Sequence, residues 1–226
     1  MNDFLKVMLF VLIGTAAMLI PMSLVTWRYR IQLYKGVLVA LYAALCGTIS
    51  TYLWFFVENH FIGGISFFGA VFLMPVAFYF APRIFREPFG DLMDMFAPGI
   101  CMMLAVMKVQ CLLSGCCRGR ELHIGDMVMQ FPSQLAEMVN GLVLMAILLT
   151  LAMCRKGKGK LYPLFMILYG CTRFVLQIFR EEWVTHTGVL PTYGTIWSVL
   201  AVIIGAVWLW KMHKKEKIQE QVQPEA

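Results

Sequence analysis

Long apolar runs separated by short polar connectors make up most of this chain. Seven of them, at 4–25, 36–57, 63–81, 92–115, 132–154, 161–179 and 193–210, are long enough to matter in lipid. A hydrocarbon layer about 30 Å thick is crossed by roughly 20 residues of helix. The pattern therefore predicts an all-α, polytopic membrane protein: a seven-transmembrane-helix bundle in a single domain, 1–212, with a charged, Gln-rich tail at 213–226 that is expected to be frayed or disordered. No small-residue cleavage site precedes the first run, so it is expected to be retained as a helix. Gly63, Gly64 and Gly69 near the start of the third run suit close helix approach, and Pro82, Arg83 and Arg86 are expected to close it. The fourth is expected to kink or start late at Ala97-Pro98-Gly99.

Composition agrees with the pattern. With 60% apolar and 14% charged residues and a mean hydropathy of +0.74, the chain has more apolar side chain than a soluble core of its size could hide. The net charge of +6 does not point to nucleic acid, because the basic residues fall in short groups between the runs, where they set topology. Arg28, Arg30, Lys35, Arg83, Arg86, Arg155, Lys156, Lys158, Lys160, Lys211, Lys214, Lys215 and Lys217 share one side, thirteen of the nineteen basic residues. The positive-inside rule then places the N-terminus outside and the C-terminus in the cytoplasm, with the 4–5 and 6–7 connectors outside. Trp54, Trp183 and Trp197 fall near the outer boundaries and Trp27, Trp208 and Trp210 near the inner ones, as interface belts do.

Candidate chemistry concentrates between Lys108 and Glu137. Lys108 and Arg173 sit inside spans, where a cation costs from about 2.5 kcal/mol upward and wants a partner or a wet cavity; snorkelling to the headgroups is the bland alternative. Tyr169, Arg173, Gln177 and Arg180 lie along one helical face, a phenol, two guanidiniums and an amide in an otherwise apolar helix. Guanidinium forks suit phosphate, and anionic lipid headgroups are the nearest phosphates. Cys116 and Cys117 stand beside Arg118 and Arg120. A thiol among arginines would ionise readily and could act as a nucleophile, for instance carrying an acyl thioester. It could equally pair with Cys111 in a disulfide, or serve as a small residue in a tight loop. His123 is the one imidazole nearby, so no metal or cofactor is expected. His60 and His186, in outer connectors, read as solvated.

The segment Phe131-Pro132-Ser133-Gln134-Leu135-Ala136-Glu137, with Asn140-Gly141 after it, resembles the PSQLYE stretch of the bacterial prolipoprotein diacylglyceryl transferases. Tyr169-Gly170, Arg173-Phe174 and Phe179-Arg180-Glu181 resemble their YGxxRFxxEFxRE stretch, and Tyr193-Gly194 with Ser198 their last-helix entry. Gly64 to Gly69 is similar to their GLSFHGG segment, and Asp94 with Ala97-Pro98 to their D-x-x-A-P. Order and intervals match over residues 60–200.

The resemblance implies a multi-pass enzyme of the bacterial cytoplasmic membrane. It would move the diacylglyceryl group of phosphatidylglycerol onto the lipobox cysteine of a preprolipoprotein and release a glycerol phosphate. Lys108, at the position of the family's GRxGN arginine, and Arg173 would flank the phosphate, with Glu137 and Tyr169 as further catalytic candidates. Ser114, Gly115, Gly119, Ser133, Gln134, Gln177 and Arg180 would line the substrate site. The chain departs from the motifs at Phe68 for the histidine, Ala70 for a glycine, Cys116 for the NGE acid, Ala136 for the tyrosine and Gln177 for a glutamate. The base is then expected among Glu137, Glu121, His123 and Asp126. The alternative is a relative without catalysis that binds an anionic phospholipid or membrane peptide.

Overall fold

The computed structural model describes residues 3–60, 64–117, 119–124, 127–180 and 192–222. Seven helices dominate: α1 (Asp3–Arg28), α2 (Leu33–Asn59), α3 (Phe67–Phe85), α4 (Phe89–Ser114), α5 (Ser133–Met153), α6 (Leu161–Ile178) and α7 (Tyr193–Val222). Among the described residues all seven are long and apolar enough to cross a membrane, where helices suit the chain because they satisfy every backbone group internally. Between α4 and α5 stands an antiparallel hairpin, β1 (Glu121–Ile124) and β2 (Met127–Gln130), with Glu121 opposite Gln130 and Ile124 opposite Met127.

Helix α4 is central, packing on α1 and α5, while α6 pairs with α7 and α2 with α3. The interior is filled by residues such as Met22, Phe78, Leu92, Leu104, Leu148, Tyr162 and Phe165. Leu12, Leu45, Val76 and Ile84 point outward, as lipid-facing positions do. The α6–α7 approach depends on a small residue. A methyl group at Gly170 would lie 2.7 Å from the Ser198 carbonyl oxygen and 2.8 Å from Val202, so the two backbones meet only because no side chain intervenes.

Several boundaries differ from the sequence expectation. Helix α3 begins at Phe67, because Gly64 to Ser66 is non-helical and Ser66 N–H donates to the Thr51 carbonyl at 3.1 Å. The helix also passes through Pro75 and Pro82 to Phe85 and closes on Arg86, the last of the three residues expected to end it. Proline at 75 leaves the Val71 carbonyl without its intrahelical donor, and the buried Tyr162 hydroxyl supplies one at 2.8 Å. Helix α4 starts at Phe89 and continues through Pro98, so there is no late start. Helix α7 runs on to Val222, past the expected end at Trp210 and into the charged segment expected to fray, while 223–226 lie outside the described residues. So do Gly63, Arg118, Asp126, Glu181, Trp183 and His186.

One end of the bundle is tied together by basic residues. Lys35 pairs with Glu87 at 2.5 Å, Lys158 with Asp91 at 3.0 Å and Lys160 with Glu216 at 2.5 Å, and Arg28 Nε donates to the Met153 carbonyl at 2.6 Å. Beneath them Asp94, fully buried, accepts from the Tyr29 hydroxyl at 2.9 Å and from the backbone N–H groups of Gly159 and Leu161. This carboxylate fastens α1 and the α5–α6 turn to α4. Fourteen residues of helix place it about 21 Å along the axis from Lys108, so the D-x-x-A-P aspartate anchors the fold at the far end. Asp94→Ala strands three donors, two of them backbone, and is expected to cost about 3 kcal/mol. The check is a lowered thermal midpoint in detergent, with Asp94→Asn intermediate.

Candidate functional site

The residues singled out between Lys108 and Arg180 meet at the hairpin end of the bundle. Glu137, in the first turns of α5 and 3% exposed, is the focus. Lys108 Nζ from α4 reaches its Oε2 at 2.6 Å. Arg173 from α6, and Arg180 just beyond that helix, each approach its Oε1 at 3.3 Å. All three cations are largely buried. Lys108 and Arg173 therefore converge, and neither snorkels away from the bundle.

Three cations share this one carboxylate in a poorly screened interior. Both oxygens of Glu137 are engaged, and the side chain gathers the cations of three separate segments.

The chain between α4 and the hairpin wraps this cluster. Gly115 ends α4 in the left-handed region at φ 66°, and Cys117 follows at φ 58°. The Pro-Ser-Gln entry to α5 holds that turn: Ser133 Oγ donates to the Cys117 carbonyl at 2.5 Å and Gln134 Nε2 to the Cys116 carbonyl at 2.6 Å. Beyond it Gly119 pairs in a β-bridge with Arg180, and Arg120 N–H donates to the Phe179 carbonyl at 2.9 Å. A methyl group at Gly119 would sit 2.2 Å from the Phe131 carbonyl oxygen, so only glycine lets the strand pass. The rings of Phe131 and Phe179 stack at 4.8 Å over the crossing.

A model of the family described as prolipoprotein diacylglyceryl transferase matches residues 3–211. The chain belongs to that family. It is 30% identical over 165 residues, 68% of its length, to the phosphatidylglycerol–prolipoprotein diacylglyceryl transferase of Idiomarina loihiensis. To proteins of the same name it is 29% identical over 159 residues in Francisella tularensis subsp. mediasiatica and 28% over 162 in Polaromonas naphthalenivorans, 65% and 66% of its length. The matches span 62%, 59% and 59% of those proteins, so the chain covers less than two thirds of their length.

Within this diacylglyceryl transferase relative the remaining predicted residues divide. Tyr169 lies among the rings of Phe67, Phe68 and Phe165 at 5.2, 5.8 and 5.6 Å, so Phe68, standing where the family has histidine, is an aromatic packing partner. Gln177 donates to Thr192 Oγ1 at 3.0 Å and packs against Gly194. Ser114 is exposed and accepts from Gln110 at 3.3 Å, apart from the contacts made to Glu137. Ser133, Gln134, Gly115 and Gly119 shape the loop beside the cluster. Glu121 is exposed on β1, paired with Gln130; Asp126 lies outside the described residues.

The thiols form a group of their own. The sulfur atoms of Cys111, Cys116 and Cys117 lie within 4.8 Å of one another. A hydrogen bond from Cys111 holds the Cys117 thiol well below the usual range, helped by Lys108 and Arg180 and opposed by burial. Burial pushes the Cys116 thiol up. Lys108 and Arg180, from α4 and the end of α6, thus polarise Cys117. The sequence suggested its neighbours Arg118 and Arg120 for that role.

Proposed function

We propose that this protein transfers the diacylglyceryl group of phosphatidylglycerol to the lipobox cysteine of a preprolipoprotein at the outer face of the bacterial cytoplasmic membrane. The observation that carries the reading is the meeting of Lys108, Arg173 and Arg180 on Glu137. In the reaction the thiolate forms a carbon–sulfur bond with the glyceryl carbon and the carbon–oxygen bond to phosphate breaks. The phosphate goes from a diester with one negative charge to a monoester with up to two. Fixed cations favour the state with more negative charge, so they stabilise departure more than binding. The test is direct: purified protein, phosphatidylglycerol and a lipobox peptide should give a thioether-linked diacylglyceryl peptide. No product above background removes the proposal.

The second reading, a relative that holds an anionic phospholipid without turnover, draws on Phe68 packed against Tyr169 and on Gln177, which offers no carboxylate. It predicts lipid binding weakened by Arg173→Ala and no consumption of phospholipid.

The proposed orientation follows the charge count and has its own check. In variants keeping one cysteine each, a membrane-impermeant maleimide should label Cys116 in intact cells and Cys154 only after permeabilisation. Both residues are exposed at opposite ends of the bundle. The reverse pattern would invert the topology.

A further inference from the structure

We propose that Cys111, Cys116 and Cys117 form a binding site for one monovalent copper ion. Three sulfur atoms within 4.8 Å of one another can close on a single ion with little movement. Thiolates are soft donors and select soft cations. Structural zinc sites use four ligands in a tetrahedron, whereas three sulfurs in a plane suffice for univalent copper.

The loop is built to keep the sulfurs together. Cys111 is on the last turn of α4, and Gly115 reverses the chain so that the next two cysteines fold back beside it. Cys117 is held at φ 58°, a conformation that costs a residue with a side chain roughly 1–2 kcal/mol. Ser133, itself buried, and Gln134 from α5 fix the two carbonyls of the turn. A loop needed only for its small size would not require that strained backbone to be pinned from another helix.

Lys108 and Arg180 both act electrostatically on Cys117, so a cationic cluster adjoins the sulfur ligands. Binding involves no change in oxidation state, and the thiols release their protons to solvent.

The experiment uses the full chain in detergent, reduced and kept anaerobic, titrated with cuprous ion against a chromophoric cuprous chelator. One equivalent should be retained per chain. Cys111→Ser, Cys116→Ser and Cys117→Ser should each weaken retention by roughly two orders of magnitude, while the triple variant Cys46→Ser/Cys154→Ser/Cys171→Ser retains copper as the parent does. X-ray absorption should show three sulfur neighbours. Because Cys116 is exposed, its serine variant keeps the fold, and size-exclusion profiles check this for all variants. No retained copper in the reduced parent overturns the proposal. So does equal retention in the three loop variants, or loss of copper in the distal triple variant.

Discussion

Glu137→Gln is expected to leave a protein that inserts poorly and melts early. The glutamine has the shape of the native side chain but none of its charge, so Lys108, Arg173 and Arg180 would lose the one carboxylate they share inside the bundle. Breaking a buried pair by removing one partner costs about 3–5 kcal/mol, and here a single carboxylate serves three partners. The measurement is the thermal midpoint in detergent, where a fall on the order of 10 °C is expected. A double variant, Glu137→Gln with Lys108→Gln, should recover part of the loss, since it removes one of the repelling charges. An unchanged midpoint in Glu137→Gln would show that water or lipid already compensates these cations.

Arg173→Ala should behave in the opposite way, folding normally and losing turnover. Glu137 keeps Lys108 and Arg180 when Arg173 is gone, so the carboxylate is still compensated and the midpoint moves little. The cluster, however, loses one of its three cations. Removing one fixed donor from a site of developing negative charge typically costs a factor of about 10²–10³ in rate. Product formation from phosphatidylglycerol and a lipobox peptide should fall by that amount. Arg173→Lys is expected to restore part of it, because an ammonium keeps the charge and loses the planar fork. Wild-type turnover in Arg173→Ala would remove Arg173 from the chemistry.

The two substitutions also show what the sequence could and could not give. Apolar runs fixed the seven spans, because lipid leaves the backbone few choices. Lys108 and Arg173 were legible for a related reason, because charged groups within an apolar span need a partner, while Arg180 was found by its spacing along the α6 face and Glu137 by the family motif. Their arrangement was not legible, since spacing along the chain does not tell whether a carboxylate accepts a proton or gathers cations. The hairpin was missed because apolar length was the signal sought, although the alternation of Leu122 and Ile124 with Glu121 and His123 and the Gly125-Asp126 pair between the strands are a recognisable signature. Pro82 and Pro98 were read as breaks, yet helices packed on neighbours tolerate proline when another group supplies the lost bond, as Tyr162 does for Val71 at Pro75. Ser133 and Gln134 were legible only through a family motif, and their hold on the carbonyls of the thiol turn could not be read from spacing.

The bridge between Gly119 and Arg180 links surface and interior mechanically. Any pull on the hairpin passes to the backbone that carries one of the three cations, through this bridge, the Arg120 N–H bond to the Phe179 carbonyl and the Phe131–Phe179 stack.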